Sequence, residues 1–292
     1  MENAVITVIG SSNIDMVTSL KDFPQEGETV IGEGFQIVPG GKGANQAVAA
    51  SRLGGNVQFI GKVGNDLFGN HLIDLMKEEE ITLFLDKAPV STGVATILLA
   101  NGNNRIIVTP GANSFVTKSY LQEKRDIILK SKIVVLQFEI PLEAILYCID
   151  ICSENNIPVL LNPAPYQPLP EGYLSKVSYI TPNETERDQL FPTTEIPTLL
   201  RNKVIVTEGE KGVSFYNQGI SDKVSGFSVN ALDTTGAGDT FNGALAVALV
   251  EGMDLKESIT FANAAAALSV QKFGAQGGMP SRSAVDDFLQ NP

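Results

Sequence analysis

The chain has 292 residues, of which 43% are hydrophobic and 18% charged, a composition typical of a globular protein with a sizeable core. Its formal net charge of −12 supplies no basic surface, so neither nucleic acid nor an anionic membrane is an expected partner. With only one histidine and two cysteines, a His/Cys zinc site and a Ser-His-Asp triad are disfavoured. The low cysteine content and the absence of a signal-like or membrane-length apolar run predict a cytoplasmic location.

Short apolar runs alternate with helical patterns along the chain. Buried strands are predicted at 5–9, 57–60, 133–136, 159–161 and 204–207. Helices are predicted near 43–53, 67–79, 142–153, 183–190, 241–250 and 255–270. This alternation predicts an α/β fold, a single domain over 1–292 with a mainly parallel central sheet and helices on both faces. Ligands of such a fold gather at the carboxyl ends of the strands.

Residues 14–37 and 91–109 interrupt this alternation, because they lack helical patterns and carry alternating apolar residues. Asn101-Gly102 suits a tight turn and predicts a hairpin. The apolar face of that hairpin is expected to carry Val94, Thr96, Leu98, Ile106 and Val108. We expect the two regions to form a small sheet that acts as a lid. Since isolated strands are marginally stable and their edges invite pairing, a homodimer through the lid is expected.

The stretch 233–239, Asp-Thr-Thr-Gly-Ala-Gly-Asp, is followed by apolar residues at helical spacing, so a small-residue loop precedes a helix. The backbone N–H groups of such a loop and the helix dipole together form an anion hole. Asp239 would place a proton acceptor beside it, and phosphoryl transfer needs both groups. The alternative is that Asp239 only caps the helix and that the glycines only form a tight turn.

A second glycine cluster, at 40–47, also precedes a predicted helix. It is not a Walker P-loop, because Gly43 follows Lys42 where serine or threonine is required, and its spacing is not that of a Rossmann motif. Taken alone, this cluster indicates either a tight turn or a close approach of the backbone to a ligand.

Motifs over almost the whole chain resemble those of the ribokinase family of carbohydrate kinases. They are GSSNID at 10–15, GGKGANQAVAASRLG at 40–54, GKVGNDLFG at 61–69, QFE at 137–139, NPAP at 162–165, TPNETE at 181–186 and DTTGAGDTFNGAL at 233–245. The resemblance implies ATP-dependent phosphorylation of the primary hydroxyl of D-ribose. Two alternatives are a kinase for 2-deoxyribose, another small sugar or a nucleoside, and a sugar sensor without turnover.

The resemblance also implies a role for each matching residue. Asp239 would be the base, beside an anion hole made by the amides of Gly236, Ala237 and Gly238. The sugar hydroxyls would be held by Asn13, Asp15, Gly41, Lys42, Asn45, Glu139 and Asp239. ATP would be bound by Asn183, Thr207, Glu208, Gly209, Gly212, Gly238 and Asn263. Glu186 would organise Mg²⁺ through water, and a K⁺ site would comprise Asp233, Thr235, Ser269, Lys272, Gly274 and Gly278.

Some of these residues also have a structural interpretation, since Asn13 and Asp15 could form a turn and Glu139 could cap the helix that follows it. The chain departs from the family pattern at three places. The segment 190–203 is short and predicts a missing helix, Glu208 replaces an apolar residue, and Gly278 replaces a serine beside the expected K⁺ site.

Overall fold

The computed structural model describes residues 4–192 and 195–290. Its strands are β1 (Val5–Ile9), β2 (Asn13–Ser19), β3 (Gly34–Gly40), β4 (Asn56–Gly64), β5 (Thr82–Ala88), β6 (Gly93–Ala100), β7 (Asn103–Thr109), β8 (Ile133–Leu136), β9 (Val159–Leu161), β10 (Tyr179–Ile180), β11 (Ile205–Thr207), β12 (Val213–Asn217) and β13 (Ile220–Val224). Its helices are α1 (Lys42–Arg52), α2 (Leu67–Glu78), α3 (Lys118–Glu123), α4 (Arg125–Ile128), α5 (Leu142–Glu154), α6 (Tyr173–Lys176), α7 (Glu184–Leu190), α8 (Ala237–Glu251), α9 (Leu255–Ser269) and α10 (Arg282–Gln290).

Six strands form a parallel sheet in the order β10-β9-β8-β1-β4-β5. The four residues of β8 and the three of β9 are all buried, as expected for strands covered on both faces. Parallel bridges between Ile180 and Val204 and between Asn183 and Thr207 continue the sheet to β11, which pairs with the antiparallel strands β12 and β13. The predicted parallel sheet is therefore confirmed, with an antiparallel edge that the sequence did not indicate.

Helices cover the two faces of this sheet. One apolar cluster joins α1, α8 and α9 to strand residues such as Ile6 and Val8, and a second joins α5 to residues such as Val134 and Leu136. Adjacent residues of a strand point to opposite faces, so Val134 and Val135 belong to different clusters. None of the helices in the described residues is long and apolar enough to span a bilayer.

The segment 190–203, predicted to lack a helix, partly falls outside the described residues, because 193 and 194 are not among them. Before β11, a short 3-10 turn spans Arg201–Lys203.

A separate four-stranded sheet, here called the small sheet, has the order β3-β2-β6-β7. The turn between β6 and β7 is Asn101-Gly102, with positive φ angles of 54° and 71°, as the hairpin prediction requires. This two-residue turn pairs Ile97 with Ile106 and Thr96 with Ile107. The prediction that Thr96 and Ile106 share a face is therefore wrong, because residues directly opposite each other share a face and their neighbours point the other way.

Across β2, β6 and β7, one face of the small sheet is more uniformly apolar than the other, although β3 adds the exposed Phe35 and Ile37 to the face that carries Met16. Through the pairing of β2, β6 and β7, the first face carries Asp15, Val17, Ala95, Ile97, Ile106 and Val108. The opposite face carries Met16, Thr18, Thr96, Leu98, Arg105 and Ile107. Every residue of β7 is exposed, including Ile106 at 52% and Ile107 at 64%. The outer part of the small sheet thus leaves large apolar side chains in contact with solvent.

Candidate active site

Asp239 lies in the first turn of α8, which begins at Ala237 rather than at 241, where the sequence pattern places it. The helix begins earlier because Gly236 precedes it in the left-handed region, with a φ of 80°. A Cβ on Gly236 would also lie 2.8 Å from the Cα of Ala275, so glycine is required at this position. Since Gly236 is the N-cap residue, the alternative interpretation of Asp239 as the helix cap is wrong.

The Asp239 side chain is buried, at 6% exposure, and each of its oxygens accepts a hydrogen bond from a side-chain amide. Asn45 Nδ2 donates to Oδ2 and Gln46 Nε2 donates to Oδ1, both at 3.0 Å. These amides belong to α1, which packs closely on α8: a Cβ on Gly243 would lie only 2.7 Å from that of Ala49. Because bonds to an ionised carboxylate are strong and directional, this packing fixes the orientation of Asp239.

Two further carboxylates, on Asp15 and Glu139, lie near Asp239. Burial, followed by the negative charges of Glu139 and Asp239, raises the pKa of Asp15 to about 7. Glu139 Oε2 accepts hydrogen bonds from Ser11 Oγ at 2.5 Å and from the backbone N–H of Lys42 at 3.0 Å. Glu139 is therefore tied to the start of α1, and the interpretation of Glu139 as a cap of α5 is wrong, because Pro141 is the N-cap residue of that helix.

The ammonium group of Lys42 balances these acids. The pKa of Lys42 is raised mainly by Asp239; burial acts in the opposite direction, and Glu139 and Glu186 add to the rise. Lys42 thus lies among carboxylates contributed by α8, by the loop after β8 and by α7. A cation placed among these acids can stabilise negative charge that develops beside Asp239.

Asn13 and Gly41 lie against each other at the junction of β2 and α1. Gly41 has a φ of 87°, and a Cβ there would lie 2.8 Å from the backbone nitrogen of Asn13. Asn13 Oδ1 accepts a hydrogen bond from Asn113 Nδ2 at 2.7 Å, and Asn13 and Glu139 line a cavity of 330 Å³. The structure thereby brings together all the residues predicted to hold the sugar: Asn13, Asp15, Gly41, Lys42, Asn45, Glu139 and Asp239.

A larger cavity of 1010 Å³ lies against the first turns of α8. Ala237 and Gly238 line it, so this cavity reaches the helix turn that carries Asp239. Other residues predicted to bind ATP also line it: Asn183, Thr207, Gly209, Gly212 and Asn263. The first-turn N–H groups of α8 have no carbonyl partner one turn earlier in the helix, although that of Ala237 donates to the Thr234 carbonyl at 3.3 Å.

Among the described residues predicted to bind ATP, Glu208 is the one whose side chain does not line this cavity. Its carboxylate forms an ion pair with Lys223 at 2.7 Å and accepts a hydrogen bond from Ser214 Oγ at 2.5 Å. Although burial alone would raise the pKa of Glu208, the bonds with Lys223 and Ser214 outweigh it, so the pKa lies below its usual value. The charged side chain at this unusual position is thus neutralised within the antiparallel edge of the sheet.

Glu186 lies at the start of α7 and forms a capping box with Asn183. Its Oε2 accepts a hydrogen bond from the Asn183 N–H at 2.9 Å, and burial raises its pKa, while the charge of Lys42 acts in the opposite direction. Asn183 and its neighbour Glu184 line the large cavity. Within the described residues, no group of three or more His, Cys, Asp or Glu side chains is arranged to hold a metal ion.

Asp233 joins the loop before α8 to the segment after α9. Its carboxylate accepts hydrogen bonds from the N–H groups of Thr235 and Gly274, both at 2.9 Å. Although burial alone would raise the pKa of Asp233, the hydrogen bonds from Thr235 and Gly274 outweigh it, so the pKa lies below its usual value. The structure thus brings together three of the residues predicted to bind K⁺ around a charged carboxylate.

The other three residues predicted to bind K⁺ differ in their surroundings. A Cβ on Gly278 would lie 1.9 Å from the Ser269 carbonyl oxygen. The serine usual in the family could therefore be placed here only if that carbonyl moved. Lys272 is exposed, so only its backbone is available to the site.

Four buried side-chain amides around Asp239 were given no role from the sequence, namely those of Gln46, Gln137, Asn162 and Gln276. Gln46 Nε2 also donates to Asn162 Oδ1 at 3.2 Å. Gln137 and Asn162 each directly follow a buried strand. The sequence signal that could have identified these two is an amide residue at the carboxyl end of such a strand, where ligand sites form.

Comparison with known proteins identifies the class. Residues 3–282 match the family of pfkB carbohydrate kinases. The chain is 44% identical to the ribokinase of Bacillus subtilis, with 97% of this chain and 99% of the relative covered, and 47% identical to that of Lactococcus lactis, with 98% and 97% covered. It is 37% identical to the deoxyribokinase of Salmonella typhi, with 97% and 98% covered. The chain therefore belongs to the pfkB family of carbohydrate kinases, which are phosphotransferases.

Solved structures agree with this assignment. The ribokinase of Thermotoga maritima superposes with a TM-score of 0.89 at 38% identity, with 99% of this chain and all of that chain covered. The Arabidopsis thaliana ribokinase, solved in complex with ribose and ATP, superposes with a TM-score of 0.87 at 31% identity, with both chains fully covered. The parallel sheet with helices on both faces is therefore the ribokinase-like fold.

Proposed function

We propose that this chain transfers the γ-phosphoryl group of ATP to the primary 5-hydroxyl of D-ribose, giving ribose 5-phosphate and ADP. The observation that carries the proposal is that Asp239 is bonded to residues of the predicted sugar site and directly follows Gly238, which lines the 1010 Å³ cavity. That cavity is large enough for a nucleotide. The identity to two ribokinases, at 44% and 47% over nearly the whole chain, selects ribose as the sugar.

Asp239 acts as the base in this proposal. Its carboxylate is held by Asn45 and Gln46, and accepts the proton of the attacking hydroxyl as the oxygen bonds to phosphorus. The amides of Gly236, Ala237 and Gly238, at the positive end of the α8 dipole, stabilise the charge on the transferred group. The Ala237 amide exchanges its weak bond to the Thr234 carbonyl for this contact.

The nucleotide lies in the large cavity, with its phosphates toward α8. Mg²⁺ prefers carboxylate and phosphate oxygens and keeps several waters, and it would neutralise phosphate charge. Glu186 fits such an ion through water, because its Oε1 is not used in the capping box and its carboxylate lies in the electrostatic range of Lys42 and Asp239.

A potassium ion fits the surroundings of Asp233. The carboxylate stays charged there, and the carbonyl groups of Thr235, Ser269 and neighbouring residues supply the neutral oxygens that a monovalent cation requires. Binding at this position stabilises the loop that carries the anion hole. Gly278 leaves the Ser269 carbonyl in place and provides no hydroxyl of its own.

A homodimer through the small sheet completes the site. The face of the small sheet that carries Asp15 also carries Val17, Ile97 and Ile106, and the outer strand β7 is exposed along its length. A second copy packed on this face would bury these apolar residues and close the sheet over the sugar. The opposite face is the alternative: it carries the polar residues Thr18, Thr96 and Arg105, but also Phe35 and Ile37 of β3, which are exposed.

The second candidate substrate is 2-deoxyribose, since a deoxyribokinase is 37% identical over nearly the whole chain. The two sugars differ by one hydroxyl, which a site with buried polar groups can discriminate strongly.

The proposal is tested by coupled ADP release with a panel of pentoses, 2-deoxyribose, hexoses and nucleosides, each with and without K⁺. We expect the highest kcat/KM for ribose. A higher kcat/KM for 2-deoxyribose would select the second candidate, and turnover of nucleosides alone would refute both.

A further inference from the structure

Asn45 and Gln46, the two donors to Asp239, are neighbours on α1, yet each is oriented by a different glutamine. A side-chain amide can turn either its oxygen or its NH₂ group toward a partner. With the oxygen turned toward Asp239, lone pairs would face the carboxylate and the hydrogen bond would be lost. Something must therefore fix the orientation of each amide.

Gln276 fixes the orientation of Asn45. Its Nε2 donates to Asn45 Oδ1 at 3.0 Å, and Asn45 Nδ2 then donates to Asp239 Oδ2 at 3.0 Å. The backbone of Gln276 is itself held, because Arg52 donates a hydrogen bond to its carbonyl. Arg52 also forms an ion pair with Glu79 at 2.6 Å. The amide oxygen of Asn45 is thus occupied by a donor, which leaves the NH₂ group to face the carboxylate.

Gln137 holds the oxygen of the Gln46 amide in the same way, while Asn162 Oδ1 accepts a hydrogen bond from the NH₂ group of Gln46 at 3.2 Å. Gln137 Nε2 donates to Gln46 Oε1 at 2.7 Å, and Gln46 Nε2 donates to Asp239 Oδ1 at 3.0 Å. The position of Gln137 depends on Gly10, since a Cβ on that residue would lie 2.1 Å from Gln137 Oε1. Gln46 and Gln137 are fully buried, so water does not compete for these bonds.

We propose that Gln137 and Gln276 are positioning residues of the phosphoryl-transfer reaction: each orients one amide so that both oxygens of Asp239 receive an N–H donor. Neither glutamine donates its side-chain hydrogen bond to Asp239 itself. Their effect on turnover passes through Gln46 and Asn45, and it rests on the proposed role of Asp239 as the base.

Kinetics of Gln137→Met and Gln276→Met test this proposal. Methionine keeps much of the length and volume of glutamine but has no N–H group. The loss of one oriented donor to a carboxylate is expected to lower kcat about 10-fold or more, with KM for ATP changed less than about threefold.

The matched control is Gln58→Met. Gln58 is as buried as Gln276, at 8% exposure, and donates to Thr7 Oγ1 at 2.6 Å between β1 and β4. We expect the control to lose a similar amount of thermal stability and to keep its kcat.

A double-mutant cycle with Asp239→Asn separates positioning from a general effect on the fold. When the base is absent, Gln276→Met and Gln137→Met should lower kcat no further, because residues that act through one group are not additive. A 10-fold loss that persists in the Asp239→Asn background would overturn the proposal, as would wild-type kcat in the single variants.

The cycle uses whichever sugar the wild type phosphorylates fastest, so failure of the ribose assignment leaves the test intact. Crystal structures of the two methionine variants provide a readout that needs no turnover, and conservative alternatives such as Gln137→Leu serve if a methionine variant does not fold. We expect Asn45 or Gln46 to turn away from Asp239 in these structures. If both amides kept their donors on the carboxylate, the proposal would be overturned.

Discussion

The surroundings of Asp239 and the outer part of the small sheet are built in opposite ways. Around Asp239, polar side chains are buried and nearly all hydrogen-bonded to one another, from Gln276 through Asn45 and Gln46 to Gln137. In the small sheet, apolar side chains such as Ile106 and Ile107 are exposed. Contacts within one chain thus fix the Asp239 side chain, whereas the outer part of the small sheet leaves apolar side chains in contact with solvent, which is where we propose that a second copy packs.

The strongest test of the buried centre is Asp239→Asn. The substitution keeps the shape of the side chain and the loop before it, but removes the proton acceptor. We expect kcat to fall by about 10²–10⁴-fold, with a much smaller change in KM for ribose. Steady-state kinetics with saturating ATP measure the effect. Activity within about threefold of wild type would show that the buried centre is not where the reaction occurs.

The proposed dimer through the small sheet is tested by Ile97→Glu, with Thr96→Glu as the matched control on the opposite face of the same strand. A charge at Ile97 would have to be buried in the proposed dimer, next to the sugar, and this is costly. We expect weaker dimerisation and a KM for ribose raised about 10-fold. Light scattering and kinetics measure both. If Thr96→Glu had the larger effect, the dimer face would be the other one, and a monomeric wild type with full ribose affinity would exclude the dimer.

The proposed K⁺ site beside Asp233 is tested by exchanging the cation. We expect activity to rise severalfold when K⁺ replaces a large organic cation, because an ion bound at the proposed site would stabilise the anion hole. Asp233→Ala should abolish this response while leaving a basal rate. Equal responses of the variant and the wild type would place the cation elsewhere, and would separate the loop around Asp233 from the buried centre.

A further prediction concerns the stability of the free protein rather than its activity. The pKa of Asp15 is raised from 3.8 to about 7, so the folded state holds a proton that the unfolded state releases between these values. Stability is therefore lost as the pH rises through this window. Asp15→Asn removes the titrating group, and the stability of the variant relative to wild type should increase between about pH 4 and about pH 7. Denaturant unfolding without sugar measures it. A constant difference across this range would contradict the buried environment of Asp15.

Local patterns in the sequence were enough to predict much of the fold. The strands at 133–136 and 159–161 were predicted with the observed bounds, because runs that are buried on both faces are continuous and apolar. The start of α8 was placed four residues late, because glycines read as loop residues although Gly236 ends the loop and Gly238 lies in the helix. The facing of the hairpin was wrong because it depends on the register that the turn sets.

Only part of the candidate site could be predicted from the sequence, because only part of it lies in contiguous motifs. Asp239, Asn45 and Lys42 lie in contiguous motifs that a reader of the sequence can recognise. The pairing of Gln137 with Gln46 and of Gln276 with Asn45 joins residues 91 and 231 positions apart. Such contacts depend on the packing of whole helices and strands, and no local pattern encodes them.

We propose that the buried centre at Asp239 directs the transfer of the γ-phosphoryl group to the 5-hydroxyl of ribose. Phosphorus-31 NMR of the product formed from ribose and ATP tests this most directly, because coupling to carbon-bound protons identifies the phosphorylated position. We expect one product, with phosphorus coupled to the two protons on C5, and at least about 100-fold slower product formation with Asp239→Asn. A product phosphorylated at another carbon, or equal product from the variant, would contradict this proposal.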